Sequence, residues 1–140
     1  MAKRKLRSHC PVNFALEAIG DRWSLLILRD ILFRGKRSYG DFLSSEEGFA
    51  TNILASRLAL LVKEGILRKG HRAYELTEKG LDLIPLLFEM ILWSAKHDPK
   101  SQAQRIPQLV ELIRKDNRRI SREAMERARA GQALLPEYLR

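Results

Sequence analysis

A single cysteine, Cys10, stands in 140 residues, so the chain forms no internal disulfide. No apolar run approaches bilayer length, and the N-terminus has no apolar signal core, so a cytoplasmic location without a membrane role is expected. There is no Gly-rich phosphate loop and no nucleophile elbow around any serine, which argues against an enzyme. His9, His71 and His97 with one thiol make no recognisable metal spacing, and no cofactor is expected. Acidic residues are also in deficit. Lys and Arg number 26 against 17 Asp and Glu, for a net charge of +9. That excess speaks about anionic partners rather than about fold.

The charge is segregated. Residues 1–10 carry Lys3, Arg4, Lys5 and Arg7 with no acid, and residues 99–140 hold a net +5, so residues 11–98 sum to zero. A neutral globule with basic ends suits a folded reader with arms. With 45% hydrophobic residues the chain can build one domain and is too short for two. The expected organisation is a basic arm over 1–10, a core domain over 11–98 and a basic helical extension over 99–140.

Periodicity and punctuation give the elements. Cys10-Pro11 predicts a helix start capped at Cys10, and Gly20 closes that segment. Asp21 caps a second helix, Trp23 to Phe33, apolar on nearly every side and so expected to be central. Residues 36–39 predict a short extended piece. A brief helix over about 41–45 follows, capped by Gly40 or Ser38, then a turn over 44–48. The helix Asn52 to Glu64 places Leu54, Leu58, Leu61 and Val62 on one face and Asn52, Ser56, Ala59 and Lys63 on the other, with Arg57 at the border. After Gly65, two short β-like runs, 66–69 and 74–77, flank a Gly-His-Arg-Ala turn. Thr77 caps a long helix, Glu78 to about Lys96, with a bend expected at Pro85. Its all-round apolar surface predicts burial against a second subunit. Two more helical patterns, 106–117 and 121–130, complete the chain.

That order predicts a mainly α fold with a small β-hairpin, a winged helix-turn-helix with extra C-terminal helices. A helix beside a basic hairpin suits duplex DNA: the helix enters the major groove and the hairpin meets the backbone. Asn52 and Ser56 are candidates for base edges, Thr51 for a phosphate at the helix N-terminus, and Arg57 for backbone or base unless it pairs with Asp41 or Glu64. Lys36, Arg37, Arg68, Lys69, His71 and Arg72 are candidates for phosphate. Phe14, Ile84, Phe88, Ile91 and Trp93 are candidates for dimerisation. Either tryptophan, Trp23 or Trp93, could instead line a ligand pocket, with core or dimer packing favoured. In the extension, Ile106, Leu109, Val110 and Ile113 form a stripe expected to dock on the core or on a partner.

Several stretches resemble the HxlR-type bacterial regulators, a MarR-like winged-helix group: Cys10-Pro11-Val12, Ile19 to Asp30, Tyr39 to Phe42, Ile53 to Leu58, Glu64 to Leu67 and Tyr74 to Gly80. The resemblance covers roughly residues 9–97. It implies a homodimeric transcription regulator, a repressor in expectation, on an inverted-repeat operator, paired through the first and last core helices. It also implies that Cys10 is a candidate redox or electrophile sensor, with an oxidant or small molecule as effector. A thiol at a helix N-terminus has a lowered pKa, and a lone Cys can only form an intersubunit or mixed disulfide. The reading as a small buried hydrophobe stands beside it. Ala50-Thr51-Asn52 departs from the family's usual Ser-Pro-Lys, which implies a different base preference. The alternative from another class is a winged-helix interaction or assembly module with non-specific nucleic-acid binding.

Overall fold

A computed structural model describes residues 5–134. Lys3 and Arg4 of the arm and residues 135–140 of the extension lie outside the described residues. Helix α1 runs Pro11–Ile19, α2 Ser24–Arg34, α3 Tyr39–Leu43 and α4 Thr51–Lys63. Strands β1 (Leu67–Lys69) and β2 (Tyr74–Leu76) follow, then α5 Glu78–Leu81 and α6 Ile84–His97. A 3-10 turn, Gln102–Arg105, leads into α7 Pro107–Lys115 and α8 Asn117–Arg129.

Local chemistry sets most boundaries as expected. Cys10 is the residue before α1, with Pro11 in its first turn. The Asp21 carboxylate accepts from the backbone N–H groups of Trp23 and Ser24 at 2.8 and 2.9 Å and from Ser24 Oγ at 2.6 Å, which starts α2. Ser38, not Gly40, caps α3 in a reciprocal box with Asp41. Gly65, at φ +74°, ends α4 and turns the chain into β1.

Three expectations are corrected. The extended piece over 36–39 is shorter than expected: Ser38 is extended and the Arg37 carbonyl accepts one bond from Tyr74 N–H at 2.8 Å, but no strand forms and Tyr39 already opens α3. The predicted long helix is two helices, because Asp82 and Leu83 interrupt it and Pro85 opens α6, where its missing N–H costs nothing. Val62 is exposed, since the buried stripe of α4 is only as wide as Leu54, Leu58 and Leu61.

The core gathers α2, α4 and α6 around Ile27, Leu28, Leu32, Leu58, Ile84 and Phe88. The extension belongs to this core. Ile106, Leu109, Val110 and Ile113 are buried, as are Ile120, Ala124 and Leu134, and α8 packs along α6. Part of the apolar surface of α6 is therefore covered by the same chain. What stays exposed is Leu86, Met90 and Trp93 on α6, with Val12, Phe14 and Leu16 on α1. No described helix is long and apolar enough to cross a membrane.

Candidate nucleic-acid interface

Helix α4 is held by its buried stripe, so its opposite face is presented outward with Thr51, Asn52 and Ser56 exposed. Ala50 precedes it and supplies no side-chain cap, which leaves first-turn N–H groups available to an anion. The Tyr39 hydroxyl donates to the Thr51 carbonyl at 3.0 Å, placing an exposed phenol beside that helix start. Tyr39 is not among the sequence candidates for DNA, because its spacing from Thr51 carries no local signal.

The hairpin stands next to α4 for identifiable reasons. Leu67 pairs with Leu76, Arg68 with Glu75 and Lys69 with Tyr74, and Gly70 N–H donates to the Ala73 carbonyl to close the tip. Thr77 Oγ1 donates to the Gly65 carbonyl at 2.5 Å, with the Ile66 carbonyl at 3.0 Å, and accepts from Gly80 N–H at 3.1 Å. Lys79 Nζ donates to the Glu64 carbonyl at 2.6 Å, capping the end of α4. Gly80 packs so tightly on the Ile66 carbonyl that a Cβ would collide with it. Helix α4 and the hairpin are thus one tied unit.

Not every candidate cation faces outward with them. Lys69, His71 and Arg72 are exposed and have no ion pair among the described residues. Arg68 is exposed but bonded to Glu75 at 3.0 Å across the strands, so its charge is half spent. Arg57 is directed inward and pairs with Asp21, Nε to Oδ1 3.3 Å, rather than with Asp41 or Glu64. Lys36 is turned into a buried polar cluster, where Nζ donates to Ser45 Oγ at 2.9 Å and lies 3.9 Å from Asp30. Arg37 is half-buried and reaches toward Gly131 in the extension. Arg57 and Arg37 are drawn partly inward by groups far off in sequence, and Lys36 by Asp30 and Ser45 nearby in the chain.

The cluster around Asp30 escaped sequence reasoning. Asp30 is fully buried in α2 and accepts from Ser45 Oγ, and from Arg29 Nε and Nη2 at 3.1 and 2.8 Å. Arg29 also grips Glu47 with two bonds of 2.6 and 2.8 Å, and Arg34 reaches Glu46 at 3.2 Å. The Arg29 hydrogen bonds hold the Glu47 carboxyl down to about 2. An acid within an apolar helix, with Arg29 beside it and Arg34 at i,i+4, was the available signal.

Of the dimerisation candidates, Ile84 and Phe88 are corrected: both are buried inside the protomer, Phe88 against Phe33 with ring centroids 6.0 Å apart. Phe14 and Trp93 are exposed and Ile91 is half-buried. Trp93 lies against His97, and Trp23 packs on Phe49 at 4.9 Å. Cys10 is exposed, and the backbone N–H groups of Asn13 and Val12 at the start of α1 lower its thiol pKa below the usual value.

Known proteins share this architecture. A family model described as HxlR-like helix-turn-helix matches residues 18–102, which takes in α2 to α6 and leaves out Cys10, α7 and α8. The uncharacterised HTH-type transcriptional regulator Mb3122 of Mycobacterium bovis is 35% identical over 98 residues, 65% of this chain and 61% of its own length. The chain thus spans less than two thirds of that relative. The crystal structure of PA1607, described as a candidate transcription factor, superposes with a TM-score of 0.60 at 38% identity, over 69% of this chain and 72% of that one. Quinone-bound YodB from B. subtilis gives 0.56 at 28% identity, over 62% and 99%.

Proposed function

The chain belongs to the HxlR-like helix-turn-helix family, and from that starting point we propose that it is a homodimeric, sequence-specific DNA-binding repressor acting on an inverted repeat. One observation carries the reading: the polar outer face of α4 and an exposed basic hairpin tip are fastened side by side. Asn52 and Ser56 read base edges, Asn52 through the two-point pairing that an amide makes with adenine. Thr51 and the free first-turn N–H groups hold one phosphate, and Lys69, His71 and Arg72 hold others. Arg68, shared with Glu75, contributes less. The arm over 1–10 adds salt-sensitive affinity to the 11–98 domain, and the described part of the 99–140 extension, residues 99–134, buttresses α6.

Dimerisation places two readers on successive major grooves. The apolar faces of α1 and α6 with Phe14, Ile91 and Trp93 form the seam, supported by the exposure of Phe14 and Trp93 in a single copy. Cys10, exposed at the start of α1 with a lowered thiol pKa, sits beside that seam's helix. Its thiolate is suited to add to an electron-poor carbon, which would shift the angle between subunits.

Binding-site selection from random duplexes, followed by anisotropy at several salt concentrations, tests the reading. A recovered palindrome bound with steep salt dependence is expected. Binding indifferent to sequence would favour the interaction-module alternative. For the thiol, oxidant or quinone must weaken binding by wild type and spare Cys10→Ser; superimposed curves would dispose of the sensor.

A further inference from the structure

Between α2, α6 and the 3-10 turn lies a cleft of about 580 Å³ that neither the reader helix nor the hairpin touches. Leu26, Phe33, Leu87, Met90, Ile91 and Ile106 make its apolar wall. Three arginines, Arg29, Arg34 and Arg105, also line it; Arg29 and Arg34 are already paired with Asp30, Glu47 and Glu46, which stand outside the lining. Arg105 has no ion-pair partner among the described residues. An apolar cavity of this size with a few convergent polar groups has the make-up of a small-molecule site, for which volumes of roughly 300–1,000 Å³ are usual.

We propose that this cleft binds a small amphipathic monocarboxylate, its hydrocarbon part against the apolar wall and its carboxylate on the guanidinium groups, and that the ligand controls the reader helix. The consequence for DNA rests on the function proposed above; the binding and its effect on the protein do not. Guanidinium and carboxylate pair by two parallel bonds, which favours an acid over an alcohol of equal length.

A chain of ion pairs joins the cleft to the reader helix. Arg29 and Arg34, which line the cleft, are the residues that hold Glu47 and Glu46. Those two acids sit in the turn between α3 and α4, immediately before the Phe49–Thr51 entry to α4. A ligand carboxylate competes with Glu47 and Glu46 for the same donors. Asp30 stays in place beneath, so the site remains charged while the turn loses its tether. Because the ligand binds best when that tether is broken, it shifts the protein toward a state with a looser α4 entry.

The test uses the full-length protein and decanoate below its micellar concentration, with decan-1-ol as the uncharged control. Calorimetry should show saturable binding, one decanoate per chain, about tenfold or more tighter than decan-1-ol. Arg105→Gln should weaken decanoate several-fold without changing decan-1-ol, and Ala103→Trp, which fills the cleft, should abolish both. Hydrogen exchange of backbone amides over residues 44–51 should quicken on adding decanoate to wild type and stay constant in folded Ala103→Trp. Equal binding of acid and alcohol, no saturable binding, or unchanged exchange in that segment would each overturn the proposal. A loss of cleft access because a second copy covers it would appear as the no-binding outcome and also overturns it. In a separate arm, decanoate should lower DNA affinity at least fivefold. If the ligand-free protein binds no duplex at all, the functional reading fails while the calorimetric and exchange results still decide the cleft.

Discussion

Arg57, on helix α4, pairs with Asp21, the residue that starts α2, at 3.3 Å. Burial pushes the Asp21 carboxyl up, but the hydrogen bonds from Ser24 and the backbone of Trp23 and Ser24, with Arg57 nearby, bring it below its ordinary value. One carboxylate thus starts the central helix and anchors the reader. Arg57→Ala is expected to cost about 1 kcal/mol of stability, since the pair is only partly screened from water. Its effect on DNA affinity should be smaller than that of Asn52→Ala. Urea unfolding and anisotropy on the same samples separate the two.

Base reading and phosphate grip predict different signatures. Asn52→Ala should cost about 1–3 kcal/mol on the preferred duplex and little on an unrelated one. Lys69→Ala with Arg72→Ala should weaken both duplexes alike and reduce the salt slope by about 1 for each phosphate no longer neutralised. Anisotropy titrations at several salt concentrations check both.

Trp93 is 68% exposed and Ile84 only 1%. Trp93→Glu should therefore leave the fold within about 0.5 kcal/mol of wild type and halve the mass seen by sedimentation equilibrium. Ile84→Ala should instead destabilise the protomer by about 2–5 kcal/mol through the cavity it leaves. If both variants stay dimeric, the seam lies elsewhere.

Glu47 titrates from about 2 in the folded chain against 4.5 in its ordinary state. A lowered folded value means the contribution is complete above about 4.5 and disappears as pH falls from there toward about 2. After solvent screening it is on the order of 1 kcal/mol. Glu47→Gln should flatten that limb of the stability curve and leave the curve above about pH 5 parallel to wild type, as followed by thermal melts across pH.

Leu109 is buried where α7 meets the core. Leu109→Ala is expected to cost about 2–5 kcal/mol in a single cooperative transition, because the extension and the core share one apolar cluster. Two separate transitions in calorimetry would show the extension to be an independent unit.

Much of the fold was legible because its signals are local. Pro11, Asp21, Ser38, Gly65 and Thr77 act on backbone groups within a few residues, so each boundary could be read from neighbours. The stripe Leu54, Leu58 and Leu61 was readable for the same reason: helical spacing alone brings it to one face. Val62 fell just beyond the covered arc, and only the width of the opposing surface decides that. Pro85 allowed two outcomes, a bend or a fresh start, and the interruption at Asp82 and Leu83 chose the second.

The exposure of the candidate residues was legible in part, and the ion-pair partners of the cations were not. Composition and order placed a polar helix face beside basic residues at a hairpin tip, and those positions are outward in the structure. What sequence alone determined is therefore the succession of elements and the apolar stripe of each helix, which depend on spacing and capping within a turn or two. Tertiary structure decided which cations stay free. Arg57 met Asp21 and Arg129 met Glu78, 51 residues away. Coulomb attraction acts through space, and no periodicity in the chain records which acid will arrive within about 4 Å.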